Sequence, residues 1–198
     1  MEDLFLIVGL GNPGAEHDNT RHNAGFLLVE KLAATWKCDW ANERRFRARM
    51  AKSRRGDKRV MLCQPRTYMN LSGQTVAALL DFYQLPPARA LIAADDADLP
   101  LGALRLRSRG SSGGHHGLES IEQCLASREF ARLKIGIGRK EGSREITSHV
   151  LGRFDRAEKD LLEKVLERAA AQVETWLDDG LEKAMQLNGV VELGKEDQ

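Results

Sequence analysis

The run Leu4-Phe5-Leu6-Ile7-Val8 contains no polar residue and ends in Gly9. An unbroken apolar run of strand length describes a β-strand buried on both faces, as in the middle of an α/β sheet. Such a strand delivers the next residues of the chain to the end of the sheet where open α/β folds place their ligands. Those residues form a tight loop and then a polar cluster: Asn12, Thr20, Arg21, His22 and Asn23.

Gly9-Leu10-Gly11-Asn12-Pro13-Gly14 matches the glycine pattern of dinucleotide-binding folds. That pattern requires the second glycine to open an amphipathic helix whose first turn holds a pyrophosphate. Pro13 biases Asn12 away from helical geometry, and Glu16 to Asn23 has no apolar face. The stretch therefore reads as a loop that presents side chains, and no nicotinamide or flavin cofactor is expected.

Further along, the pattern alternates between helix and strand. Phe26, Val29, Leu32, Ala33 and Trp36 fall at helical spacing over Ala24 to Trp36. Phe46, Ala48 and Met50 alternate with Arg45, Arg47 and Arg49, as on a strand with one buried and one basic face. A turn at Arg55-Gly56-Asp57-Lys58 leads to a second strand over Arg59 to Gln64, stopped by Pro65. Arg66 to Gly73 then connects to a helix of about Gln74 to Tyr83, so Met69 and Asn70 lie on a strand-to-helix loop. Ala90 to Ala94 is a short apolar strand followed by Asp95-Asp96-Ala97-Asp98. Leu104 to Arg109 alternates again, with Arg105, Arg107 and Arg109 on one face. It enters Gly110-Ser111-Ser112-Gly113-Gly114-His115-His116-Gly117, where glycines allow sharp turns around two histidines. Leu118 to Ala126 reads as a helix and Leu133 to Ile137 as a strand, followed by a polar loop at Glu141 to Arg144. Asp155 and Glu158 form a capping-box start to the longest helix, which keeps one apolar face until Gly180. The expected organisation is one α/β domain over residues 1–189, with 190–198 as a loose tail.

No apolar run approaches the roughly 20 residues that span a bilayer, and the Met-Glu-Asp start has no basic segment ahead of an apolar one. Three scattered cysteines form no CxxC pair, which suits a reducing compartment and supplies no metal framework. A cytoplasmic protein without a membrane association is expected. Asp95, Asp96 and Asp98 could suggest Mg²⁺, but no glycine-rich phosphate loop ending in Lys-Ser or Lys-Thr accompanies them. No metal is expected.

The net charge of +1 conceals a division. Residues 155–198 carry 12 acidic and 6 basic residues, a net −6, whereas residues 1–154 carry 17 and 24, a net +7. Nine bases fall between Arg44 and Arg59. Such a field suits a polyanionic partner, with the acidic long helix turned away from it.

Asn12 and His22, Met69 and Asn70, Asp95, and His115 with His116 thus come from loops expected at the same end of a sheet. No serine or cysteine sits in a nucleophile-elbow sequence. A neutral histidine oriented by a carboxylate can instead take a proton from water, while amide and imidazole N–H groups stabilise the oxyanion of an ester.

Gly9 to Gly14, Thr20-Arg21-His22-Asn23, Pro65 with Met69-Asn70 and Ser72-Gly73, Asp98-Leu99-Pro100 with Gly102, Gly113-Gly114-His115, and Arg132 to Gly138 together resemble bacterial-type peptidyl-tRNA hydrolases, in order and spacing, over nearly the whole chain. The resemblance implies a single domain with a mixed twisted sheet flanked by helices. It also implies hydrolysis, without metal or cofactor, of the ester between a peptide and the 3′ end of tRNA. Residue by residue, it makes His22 the base, Asp95 the carboxylate that holds it, and Asn12 and Asn70 the amides that bind the peptide or position water. Met69, Asn23, His115, His116 and His17 are then expected on the substrate side, and Arg107 and Lys134 against tRNA. Peptidyl-tRNA is the expected partner, and a monomer the expected state. Two positions depart from the family: His17 replaces a usual tyrosine and His116 a usual asparagine. An RNA-binding protein of the same fold that has lost hydrolysis is the alternative; the joint presence of His22, Asp95, Asn12 and Asn70 argues against it.

Overall fold

The computed structural model describes residues 3–139 and 149–192. Its centre is β1 (Leu4–Gly9), whose alternate side chains feed two different cores. Ile7 packs with Leu28, Val29 and Leu32 of α1 (Ala24–Thr35). Leu6 and Val8 pack on the opposite face with Val76 and Leu79 of α2 (Ser72–Phe82) and Leu118 and Ile121 of α3 (His116–Leu125). Helices on both faces are why the strand can be apolar throughout.

The sheet has eight strands in the order β2-β3-β4-β1-β5-β7-β6-β8. Four run parallel in its centre: β4 (Lys58–Pro65), β1, β5 (Ala90–Asp96) and β7 (Ala131–Gly136). Antiparallel strands close both sides: β2 (Trp40–Glu43) and β3 (Ala48–Arg55) on one, β6 (Ala103–Arg107) and β8 (Gly189–Val190) on the other. This is the expected mixed α/β sheet in one domain. The long helix α4 (Arg156–Asp179) lies on the α1 face, with Val165, Leu166, Val173 and Trp176 in the same core. Asp155 caps it through the complete capping box with Glu158. A short α5 (Leu181–Gln186) follows Gly180.

Several local expectations shift. Arg44–Phe46 is a 3-10 turn rather than strand, and Arg47 adopts a left-handed conformation before β3 begins. Phe46, Ala48 and Met50 nevertheless all point inward. Asp95 and Asp96 belong to β5 itself rather than to the loop after it. The expected tail is partly sheet: Val190 pairs with Ala103, and Val191 N–H donates to the Gly102 carbonyl at 2.9 Å. The expected polar loop at 141–144 lies outside the described residues.

One close approach fixes the site end of the fold. A Cβ at Gly25 would collide with the Ala93 carbonyl and the Leu10 amide, and one at Gly9 would collide with the Gly25 carbonyl. The start of α1 therefore sits directly on the backbone at the ends of β1 and β5. Gly25→Ala sets two effects against each other: helix propensity favours alanine by up to about 1 kcal/mol, whereas overpacking against rigid backbone costs roughly 1–3 kcal/mol or more. Net destabilisation is expected as a lower urea midpoint, and a raised midpoint would show that the backbones can separate.

Candidate active site

The site begins with Asp95, at the C-terminal end of β5 and only 3% exposed. Its Oδ1 accepts two hydrogen bonds, from His22 Nδ1 at 2.8 Å and from His115 Nε2 at 2.9 Å. The ring centroids of the two histidines are 5.1 Å apart. Burial pushes the Asp95 carboxyl up, but His115 and then His22, through charge and hydrogen bonding, outweigh it and hold the carboxyl well below the usual carboxylate range. Asp95 is therefore an anion that accepts and does not donate.

That anion determines both tautomers. His115 is the N-cap of α3, and its Nδ1 accepts from Gly117 N–H at 3.1 Å and Leu118 N–H at 3.3 Å. Its proton is consequently on Nε2, aimed at Asp95. His22 stands in the 3-10 turn Arg21–Asn23 between β1 and α1, and it must carry its proton on Nδ1 to bond the same oxygen. Its Nε2 lone pair is left without a protein partner among the described residues. A neutral imidazole held in this tautomer by a buried carboxylate is equipped to take a proton from water.

The three ligand-type atoms of His22, Asp95 and His115 lie within 4.8 Å of one another, a separation compatible with a metal ion. The hydrogen bonds oppose that use. A metal on His115 Nε2 would call for a proton on Nδ1, where two backbone N–H groups already donate.

These groups border a cavity of about 450 Å³ lined also by Asn12, Met69, Asn70, His116 and Lys134. Asn12 Oδ1 accepts Met69 N–H at 2.8 Å, so its amide N–H₂ remains available to a ligand. Met69 is 4% exposed and presses its sulfur to Gly117, where a Cβ could not fit. Asn70 is exposed at the rim. Lys134 Nζ is paired with Asp96 at 3.0 Å.

Other expected site residues lie at the rim of the cavity or outside it. Asn23 is buried and turned inward, its side chain accepting Asn12 N–H and donating to the Asn12 carbonyl. It braces the loop. His17 is in a separate 3-10 turn, outside the cavity lining, beside Glu16. His116, the first residue of α3, is 73% exposed on the rim, 3.7 Å from Glu119. Arg107 is on the exposed face of β6, opposite Arg132 in register, while Arg105 is opposite Lys134. The basic stretch Arg44 to Arg59 is not one patch. Arg49 pairs with Glu30 and stacks on Trp40, while Arg55 pairs with Glu174 and stacks on Trp36.

Tyr68, Val150 and Leu151 also line the cavity and were not anticipated. Tyr68, 64% exposed between Thr67 and Met69, was open to notice as an aromatic on a site loop. The Val150-Leu151 wall depends on tertiary placement that no local pattern announces.

The peptidyl-tRNA hydrolase family profile matches residues 6–194. The chain is 46% identical over 182 residues to a peptidyl-tRNA hydrolase of Synechocystis sp., covering 92% of this chain and 94% of that one. It is 50% identical over 183 residues to that of a Synechococcus strain, covering 92% and 81%. The crystal structure of peptidyl-tRNA hydrolase from Acinetobacter baumannii superimposes with a TM-score of 0.89 at 38% identity, covering 96% of this chain and 97% of that one.

His115 has two separable roles, cap and carboxylate partner. His115→Ala should cost about 0.5–2 kcal/mol through loss of the cap, read from urea denaturation. His115→Asn should recover most of that stability, since asparagine caps helices well, yet its side chain is too short to reach Asp95 as well. Equal stabilities for wild type and alanine would show that the imidazole does not cap α3.

Proposed function

The chain belongs to the peptidyl-tRNA hydrolase family, and we propose that it hydrolyses the ester of peptidyl-tRNA, releasing free tRNA, with His22 as general base and Asp95 as the group that orients it. The observation that carries the residue roles is the shared Asp95 oxygen, which leaves His22 Nε2 as the one basic atom of the pair. A water bound at Nε2 loses a proton to the ring as its oxygen bonds to the ester carbonyl carbon. The imidazolium is stabilised by Asp95, and the carbonyl oxygen becomes an oxyanion. The amide N–H groups of Asn12 and Asn70 are the donors we assign to it. When the intermediate collapses, the bond to the ribose oxygen breaks. The proton on Nε2 passes to that oxygen, giving a free tRNA hydroxyl and a peptide carboxylic acid that then loses its proton to solvent.

Met69, Tyr68, Val150 and Leu151 supply an apolar wall suited to the peptide. For tRNA we assign the face shared by β6 and β7, where Arg105 and Arg107 are exposed and Lys134 stands opposite Arg105. Phosphate contacts by such side chains are blind to sequence, as a hydrolase acting on many tRNAs needs. His116, exposed on the rim, is assigned to substrate contact there rather than to the buried network. The network we assign needs no residue from a second copy, and a monomer is the state we propose. The described residues include no helix long and apolar enough to cross a membrane. Cytoplasmic action is the reading that fits a substrate made by translation.

His22→Ala should lower single-turnover hydrolysis of a peptidyl-tRNA by about 10²- to 10⁴-fold with little change in tRNA binding. A variant retaining more than half the wild-type rate would remove His22 from the mechanism. Charge reversal at Arg107 or Lys134 should flatten the dependence of log affinity on log salt by about 0.7 to 0.9 for each phosphate no longer neutralised. Unchanged slopes at both positions would place the tRNA on another face.

A further inference from the structure

The turn that carries His22 is tied down by a part of the chain distant in sequence. Arg21 N–H donates to the Gly152 carbonyl at 2.9 Å, and Thr20 forms an isolated antiparallel bridge with Arg153. The Arg21 guanidinium donates through Nη2 to Glu158 Oε2 at 2.6 Å, across 137 residues of sequence, and through Nη1 to the Arg153 carbonyl at 2.5 Å. It also lies over the buried Phe154 ring, 5.2 Å from the centroid. Its side chain is 12% exposed and that of Glu158 25%. The same Glu158 oxygen accepts Asp155 N–H at 2.7 Å, so one carboxylate closes the capping box of α4 and receives Arg21.

We propose that Arg21 and Glu158 form a positioning pair for His22, locking the 3-10 turn Arg21–Asn23 so that His22 Nδ1 stays on Asp95. The inference rests on His22 being the base. A turn this short has few hydrogen bonds of its own: Asn23 N–H to the Thr20 carbonyl, and Ala24 N–H to that of Arg21. Its orientation about the β1 end therefore depends on ties to its surroundings. Arg21 is the neighbour of His22 in that turn, and its side chain reaches away from the cavity to α4. Two donors of a planar guanidinium engage two acceptors at once, which fixes direction as well as distance. An ammonium on a flexible stem would fix only distance.

Glu158→Gln tests the charge of the pair without dismantling the helix, because glutamine also completes a capping box while offering Arg21 a neutral amide oxygen, already engaged by Asp155 N–H, in place of a carboxylate. Single-turnover hydrolysis of a peptidyl-tRNA, measured across enzyme concentrations, separates the saturating rate from the half-saturation point. The saturating rate should fall about 10- to 100-fold, the scale of a sub-ångström to ångström misplacement of a catalytic group. Half-saturation should stay within about twofold, and the thermal midpoint should be unchanged. Arg21→Gln should show the same loss, and the double variant no more than either single one, since both remove one device. Arg21→Lys should recover part of the rate. An unchanged saturating rate in Glu158→Gln, multiplying losses in the double variant, or an effect confined to half-saturation would each overturn the proposal. Failure of the base assignment has a different signature, full turnover in His22→Ala.

Discussion

A buried carboxylate that accepts two imidazole N–H groups on one oxygen is the constraint around which this molecule is assembled. Asp95 has given up nearly all contact with water, and an isolated charge in that position would be strongly unfavourable. His22 and His115 relieve the cost only if a turn after β1, the end of β5 and the first turn of α3 meet within hydrogen-bonding distance. The glycines at 9, 25 and 117 allow that approach, each occupying a place where a methyl group would strike a neighbour. Close packing and catalytic geometry are thus one requirement here.

Charge is distributed by pairing more than by composition. Two bases of β3 answer partners on the helices, Arg49 with Glu30 of α1 and Arg55 with Glu174 of α4. Arg132, fully buried, is held by Glu122 of α3. At the cavity, Lys134 shares Asp96 and Arg139 shares Asp98, so acids close to Asp95 in sequence also temper the cations nearest the cavity.

Much of this was legible in the amino-acid order. The apolar run of β1, the capping box at Asp155 and the hairpin turn at Gly56 each have local causes, and all three formed as expected. The order of strands and loops was enough to expect His22, Asp95, Asn12, Met69 and Asn70 at one end of the sheet, and the cavity unites them. Asn23 and His17 stand apart from the cavity lining because proximity in sequence to His22 does not set the direction of a side chain; a 3-10 turn sends Asn23 inward and leaves His17 behind. β2 and β8 escaped notice because four polar-flanked residues and two residues carry no periodicity. The link from Arg21 to Glu158 spans too much sequence for any local pattern to reveal.

That link also bears on when the molecule becomes competent. Glu158 and Phe154, which steady the turn beside His22, are synthesised long after the histidine. Asn188, whose side chain accepts Leu106 N–H and donates to the Leu106 carbonyl, secures the edge of the sheet later still. The ties that hold the turn and the sheet edge can form only once residues 154, 158 and 188 have joined the chain, so the order of synthesis sets the order in which the parts of the site can meet.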